Sequence, residues 1–413
     1  MKSETGPSLP RLFWEKSVDY SWEQNPDWLT SISLKDIAAF SKNPVKVSAD
    51  YILQMNRLCE ILNKSFEAIV AHYFSDSRIR DIYQLDAGLE NILQLASTQP
   101  YQVGFFRPDL LFDQNGQAKI CEIGARYPLN GWILSFFTTQ FFDSVAEKKK
   151  EELNRNQQLQ ALVEDICGLF PAKDTIALLH DQEKGTEVFY FKNEFQERGF
   201  HFIQAKPQDL VVKEDTIYAG NDPVYQFIFE MDREELRKFR PEVLEAIVSQ
   251  GIYFNDIRTL ILIHDKRVLV TLFNEAIMRS YLSAEEYAFL RPFLINSQII
   301  QSADECQPFI DSPTNLILKR NSGGRGVDAY VKNNTTPEVW EKLIRNEWTS
   351  FMIQEYVHQY EYADQEEVNF MHLIGMLLCY NGRCYGPGIF RGSDEAIINV
   401  HQGRGLIYPV LIS

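Results

Sequence analysis

The sequence lacks most of the devices by which a chain declares its chemistry. Its six cysteines (Cys59, Cys121, Cys167, Cys306, Cys379, Cys384) are scattered through 413 residues with no Cys-x-x-Cys pair, which excludes zinc-ribbon and thioredoxin-like readings. A chain this long buries its core without covalent staples, so the thiols read as reduced and the compartment as cytoplasmic. A clip between Cys379 and Cys384, across the Asn381-Gly382 turn, remains the open alternative. The seven histidines show no His-x-x-x-His spacing, and His358, His372 and His401 read as structural. No run approaches the roughly 20 apolar residues of a membrane span, and Met1 to Arg11 has no apolar h-region of a signal peptide. Repeats, low-complexity tracts and a Gly-x-Ser-x-Gly elbow are missing too. Positive charge is also short. The formal net charge is −16, which argues against nucleic acid or an anionic membrane as partner but leaves room for a local nucleotide site. What remains is ordinary: 45% apolar and 24% charged residues, enough for two or three globular domains.

The stretch with the most to say runs from Tyr101 to Trp132. Asn115-Gly116 between two half-apolar runs is a strong hairpin signal. A two-residue turn sets Gln114 against Gln117, Asp109 against Glu122 and Arg107 against Gly124; a three-residue loop would break that pairing. Opposed residues of an antiparallel pair have Cβ atoms roughly 5 Å apart. Two carboxylates so placed repel each other unless a cation sits between them, and Mg²⁺ takes one or two carboxylates plus substrate phosphates. Arg107 shares the strand face with Asp109, where it can stabilise developing negative charge. The alternative is a surface hairpin with its acids in water.

Around that hairpin the patterns change along the chain. Residues 1–30 resemble an irregular arm packed by aromatics, and Ser48-Ala49-Asp50 starts a helix running through Phe66, with another over 85–96. Trp132 to Phe142 is apolar and helical, and Glu147 to Glu152 is a solvated charge run leading into a helix over 156–169. From Thr175 a strand–helix–strand alternation implies a small α/β unit with a partly parallel sheet. Its strands are Thr175–His180, Phe200–Ile203 and Tyr225–Phe229, with helices over 187–198 and 232–249 and a hairpin over 209–220. A helix is expected around Lys266. Leu316–Lys319, Val327–Val331, Phe351–Val357, Met371–Tyr380, Arg383–Phe390 and Ala396–Val400 then read as strands of a largely antiparallel sheet.

Several residues in the second half suit a phosphate site. Gly323, Gly324 and Gly326 form a flexible loop whose amides can approach phosphate oxygens. The spacing is neither a P-loop nor a dinucleotide fingerprint, and a plain turn is the alternative. Lys319 ends the preceding strand, and Arg320 and Arg325 add positive charge. Gln354, Glu355 and Val357 end a strand that can read an adenine edge or be an ordinary edge strand. Lys266 lies between apolar flanks, where a snorkelling surface lysine is the competing reading. Arg391, in Phe390-Arg391-Gly392, can clamp a carboxylate or a phosphoryl group.

Together these segments resemble the ATP-grasp superfamily. Arg107-Pro108-Asp109, the Asn-Gly turn and Cys121-Glu122-Ile123-Gly124 are similar to its Arg-x-Asp…Glu-x-Asn signature. Asp109 and Glu122 match two of the family's Mg²⁺ ligands. Gly124 stands where the third, an Asn, is expected, and Asn130 is a candidate to substitute. The signature precedes the lysine and glycine-loop segments, an order that resembles the circularly permuted members, such as glutathionylspermidine synthetase and carboxylate–amine ligases. The resemblance implies an α/β (α+β) fold with a permuted segment carrying the metal hairpin (97–145), a small α/β pre-ATP-grasp domain (173–254) and a nucleotide-binding region (255–413), while the residue pattern adds a helical N-terminal region (1–96), which the resemblance does not cover, and a helical linker (146–172).

The resemblance also implies an activity. ATP and Mg²⁺ are the expected cofactors, and an acyl phosphate formed from a carboxylate is attacked by an amine or thiol, with release of ADP and phosphate. The carboxylate is a small molecule or is carried on a peptide or carrier. Arg107 and Arg391 are the expected catalytic residues; Lys266, Lys319, Gly323, Gly324, Gly326, Gln354, Glu355 and Val357 bind nucleotide; Asp109 and Glu122 hold metal. Two alternatives stay open: a nucleotide-binding regulator or effector without ligase activity, and a kinase-like use of the site.

Overall fold

The structure is a computed structural model that describes residues 11–12, 41, 44–136, 158–171, 173–181, 187–323, 328–363, 370–398 and 405–412. The expected aromatic arm, the end of the Trp132 helix and the charge run at 147–152 therefore lie outside, or largely outside, the described residues.

The helix predicted from Ser48 is present over Ala49–His72, with the Ser48 hydroxyl accepting the Tyr51 N–H at 3.1 Å, the usual N-cap arrangement. Its apolar stripe (Tyr51, Met55, Leu58, Leu62, Phe66) is buried. Shorter helices follow at Ser77–Tyr83, which the sequence reading missed, and Ala87–Ala96, each capped by an aspartate.

Strands β1 (Phe105–Phe112) and β2 (Ala118–Gly124) form the predicted hairpin, and Phe106 meets Phe66 of the long helix edge to face, with ring centroids 5.1 Å apart. A small sheet follows, built from β3 (Thr175–Leu179), β4 (His201–Ala205), β5 (Gln226–Phe229) and β6 (Ile252–Phe254) in the order β6-β5-β3-β4. The partly parallel sheet expected here is wholly parallel. The helix expected over 232–249 splits before Pro241, into a 3₁₀ segment Arg233–Lys238 and a helix Pro241–Gln250, because proline has no N–H for the preceding turn and suits a first helical position. Around Lys266 the expected helix is interrupted: a π-helical turn ends at Ile263 and a new helix starts at Val268.

A third sheet comprises β7 (Ser297–Gln298), β8 (Leu316–Arg320), β9 (Ala329–Val331) and β10 (Phe351–Glu355), antiparallel in the order β7-β10-β8-β9. Then β11 (Phe370–Tyr380), β12 (Arg383–Ser393) and β13 (Leu406–Tyr408) return to the hairpin and complete a sheet ordered β13-β12-β11-β1-β2. The strand predicted at Ala396–Val400 is not formed over its described part; residues 394–397 bend, and β13 lies further on. Near the end of the chain, Val410–Ile412 pairs in parallel with Val45–Val47, tying the two halves together. Among the described residues, no helix is long and apolar enough to cross a membrane.

Candidate functional site

The hairpin delivers the register expected of it by a different route. Arg107 stands opposite Gly124 and Asp109 opposite Glu122, but nearer the turn Leu110 faces Ile120 and Phe112 faces Ala118. The loop is one residue longer than expected. The Asp113 carboxylate accepts the N–H groups of Asn115 and Gln117, both at 2.9 Å, and Gly116 takes a positive φ of 79°, a conformation glycine adopts without strain. The missing residue is restored by a β-bulge at Cys121, so the two departures cancel. A bulge leaves one residue out of the ladder. Here the Cys121 carbonyl accepts the Lys319 ammonium at 2.9 Å.

That contact joins two sheets. Lys319, on β8, also donates to the Gln354 carboxamide oxygen at 2.8 Å, and Gln354 in turn donates to Ser297 Oγ at 2.9 Å. Gln354 is buried between β7 and β8, so its side chain positions a lysine, and its strand is interior rather than at an edge. Burial pulls the Lys319 ammonium below its ordinary pKa. Glu355 is exposed and bound by Asn296 at 2.7 Å. Val357 is half-buried beside Leu111, Cys121, Ile295 and Ile374, an apolar surface at the seam.

Lys266 sits in the helix break with its ammonium 2.8 Å from the Gly323 carbonyl and 3.4 Å from the Glu122 carboxylate. Gly323 has φ +99°, and an added Cβ there would meet no described atom within 4 Å; Gly324 and Gly326 lie outside the described residues, as does Arg325. Burial opposes ionisation of Glu122, but Lys266 above all, then His264, Lys319 and Arg107, holds its carboxyl down to about 2. Asp109 is enclosed differently. Arg107 donates to it from Nε at 3.0 Å and from Nη2 at 3.3 Å, and Arg391, on β12, donates to its second oxygen. Asn130, the candidate substitute ligand, has its Oδ1 on Arg107 Nη1. The seam thus gathers Arg107, Lys266, Lys319 and Arg391 around Asp109 and Glu122, a local excess of positive charge in an acidic chain. Such a cluster of cations attracts anions and suits phosphate oxygens.

Two neighbours escaped the sequence reading. The Ala125 N–H donates to His264 Nδ1 at 3.3 Å, and burial, then the charges of Arg126 and Lys266, hold that imidazole neutral with a pKa lowered to about 3. Arg126 bonds Asp232 at 2.7 Å, beyond the end of β5, and its guanidinium lies over the Tyr127 ring. Nothing local marks either residue, because their partners lie 139 and 106 residues away in the chain. The cysteine pair Cys379 and Cys384 are register partners, and both are free thiols.

The residues can be tested against a metal. Among those described, no group of three or more His, Cys, Asp or Glu side chains forms a metal cage. An ionised Glu122 at the seam suits a Mg²⁺ ion shared with phosphates, which needs only one or two protein carboxylates. Asp109 has both oxygens on guanidinium groups.

Comparison with known proteins adds a fold and a partial family match. A family model, the AnkG N-terminal domain, matches residues 58–262, a span that holds the hairpin and the parallel sheet but stops short of Lys266 and Lys319. No curated protein matches the sequence. Among solved structures, a glutathione synthetase-like effector from Globodera pallida, in its apo form, aligns with a TM-score of 0.57 at 10% identity, over 90% of this chain and 89% of that one. At that identity the likeness is one of fold: the chain is a mixed α/β protein built along the lines of that effector.

Proposed function

We propose that this chain is a circularly permuted ATP-grasp protein that binds ATP and joins a carboxylate to an amine or thiol through an acyl phosphate. The observation that carries the reading is the seam between the two sheets, where Lys319 of one is fixed on the Cys121 carbonyl of the other and four cations surround two carboxylates. The description of the solved neighbour as glutathione synthetase-like supports the same reading.

In this scheme Lys266 and Lys319 hold the nucleotide phosphates, and the apolar surface around Val357 faces the base. Glu122 would hold Mg²⁺, which when bound neutralises charge on the transferring phosphoryl group. The substrate carboxylate oxygen attacks the γ-phosphorus; the bond to the bridging oxygen breaks, and its electron pair leaves on ADP. The acceptor amine then attacks the acyl carbon, phosphate departs, and the proton of the amine passes to solvent. Arg107 and Arg391 offset the charge of the acyl phosphate and of the tetrahedral species. No protein nucleophile is required. The partners are then a small-molecule, peptide-borne or carrier-borne carboxylate and an amine or thiol.

The full occupation of Asp109 by two guanidinium groups, together with Gly124, favours a second reading: a nucleotide-binding effector or regulator without ligase chemistry. Two measurements separate the readings. Thermal stabilisation by ATP with Mg²⁺, against ATP with EDTA, tests the site itself, and no shift at millimolar ATP would remove the nucleotide reading. ADP release that requires both an added carboxylate and an added amine, screened as a panel, supports the ligase; nucleotide binding without it supports the effector.

A further inference from the structure

His264 closes the π-helical turn Thr259–Ile263, its backbone N–H donating to the Thr259 carbonyl at 3.0 Å. Widened turns of this kind recur at functional sites. The residue is 8% exposed, and its Nδ1 accepts the Ala125 N–H at 3.3 Å. That bond fixes the tautomer. A ring nitrogen that accepts carries no hydrogen, so in the neutral imidazole the hydrogen is on Nε2. Nε2 is itself buried and has no partner among the described residues, and a buried donor left unpaired is costly. The charges around the ring belong to two neighbourhoods: Glu122 and Lys266 of the seam, and the Arg126–Asp232 pair beyond the end of β5. His264 thus stands between a phosphate-holding lysine and the carboxyl end of the parallel sheet, where open α/β sheets take their ligands. The seam holds a second donor of the same kind. Arg391 Nε is buried with no partner among the described residues, although Nη2 of the same guanidinium is held by Asp109.

Resting on the ligase reading above, we propose that His264 is a further catalytic residue, whose Nε2–H donates to the acyl oxygen of the bound acyl phosphate. As the amine attacks the acyl carbon, the electron pair of the C=O bond moves onto that oxygen, and the hydrogen bond to it strengthens with the charge. The ring keeps its proton throughout. When phosphate leaves with the electron pair of its bond to carbon, the carbonyl forms again. The ring is no general base, because Nδ1 is committed to Ala125 and Nε2 already carries hydrogen. Burial, then the charges of Arg126 and Lys266, keep it neutral, and a neutral imidazole is a competent donor to a carbonyl oxygen.

The test reads the ring itself. The full chain is labelled with ¹⁵N in its seven histidine rings, and the His264 signals are assigned by their loss in His264→Gln. At neutral pH the free protein should show an uncharged ring with its hydrogen on Nε2. Acetylphosphonate, a stable analogue of an acyl phosphate, is then added to ADP-saturated protein. The Nε2–H signal should move downfield, while ATP alone should leave it in place. The other tautomer or a charged ring would overturn the proposal. So would a signal that ignores the analogue, which would leave a water as the only partner, or one that answers equally to ATP, which would put the donor on the nucleotide. In each of these cases thermal stabilisation by ATP would keep the nucleotide site standing; no stabilisation would remove site and proposal together. Affinity gives an independent reading. His264→Leu should weaken analogue binding by roughly tenfold and leave ATP affinity unchanged. His264→Gln, whose carboxamide can accept from Ala125 and donate to the ligand, should keep most of it. Equal losses for both ligands would mark a structural residue, and the wild-type ring spectrum decides the matter if the leucine variant does not fold.

Discussion

Two regions of this molecule solve the same problem, a buried carboxylate among cations, and reach opposite ends. Asp265 is sealed. Arg267 donates to it from its backbone N–H at 2.9 Å and from Nε and Nη2 at 2.9 and 2.7 Å, and Arg233 donates to the same carboxylate. Burial opposes its charge, but Arg267 and Arg233 hold the carboxyl down to about 2. All three side chains are nearly inaccessible, and the cluster binds the segment after β5 to the helix at Val268. A few residues away, Asp109 and Glu122 meet four cations at the seam, with Glu122 and Arg391 half-open to solvent. In the first cluster the carboxylate oxygens are saturated and out of reach. In the second Glu122 and Arg391 keep partial access to solvent, so their charge is within reach of a ligand. Placement and access, not residue type, separate a structural ion cluster from a candidate site.

The contrast is sharpest if the sealed cluster is broken. Asp265→Asn leaves two buried guanidinium groups uncompensated and should cost about 3–5 kcal/mol in urea unfolding; a loss within the surface-mutation range would mean the cluster is not structural. Glu122→Gln should act on both stability and binding. Its ligand-free stability at neutral pH should fall, because the ionised carboxylate offsets the cations around it, and the stabilisation by ATP with Mg²⁺, about 2.7 kcal/mol at a hundredfold excess over Kd, should vanish along with any turnover. The same variant tests the electrostatics. Glu122 is held at about 2 against an ordinary value of 4.5, so its contribution is present above that ordinary value and lost as pH falls towards about 2. Wild type should therefore lose stability across that window more steeply than the variant.

Smaller effects follow. Lys319→Met keeps the stem and removes the charge, and should lower ATP affinity by roughly tenfold, read by calorimetry; unchanged affinity would remove Lys319 from the site. The smallest effect lies far from either cluster. Gln226, at the start of β5, is buried with neither amide atom bonded by any described residue. Gln226→Met should raise stability by about 1 kcal/mol, because an unsatisfied buried polar group is costly and an apolar one of similar shape is not. A drop would show that the amide has a partner.

Much of the fold was legible because it is locally encoded. Ser48 caps its helix, Asn115-Gly116 turns its hairpin, and the βαβ alternation gives the small sheet. The facing of Asp109 and Glu122 was anticipated from a turn that is in fact longer and a ladder that is in fact bulged. Asp113 lengthens the loop through its own side chain, and Cys121 absorbs the difference. The sequence offers the Gln354 carboxamide and the backbone of its strand to an adenine edge; the structure sets that carboxamide on Lys319 and Ser297. The pattern places it on a strand but cannot say which strands flank it.

By itself, then, the sequence determined the elements and which residues share a strand face, because periodicity, caps and turns act over a few residues. The tertiary structure decided which charges meet. Lys319 reaches Cys121 across 198 residues of chain and Arg391 reaches Asp109 across 282. The first pair is fixed by how two sheets stack and where a bulge turns a carbonyl, the second by the strand order within one sheet, and no local pattern records either.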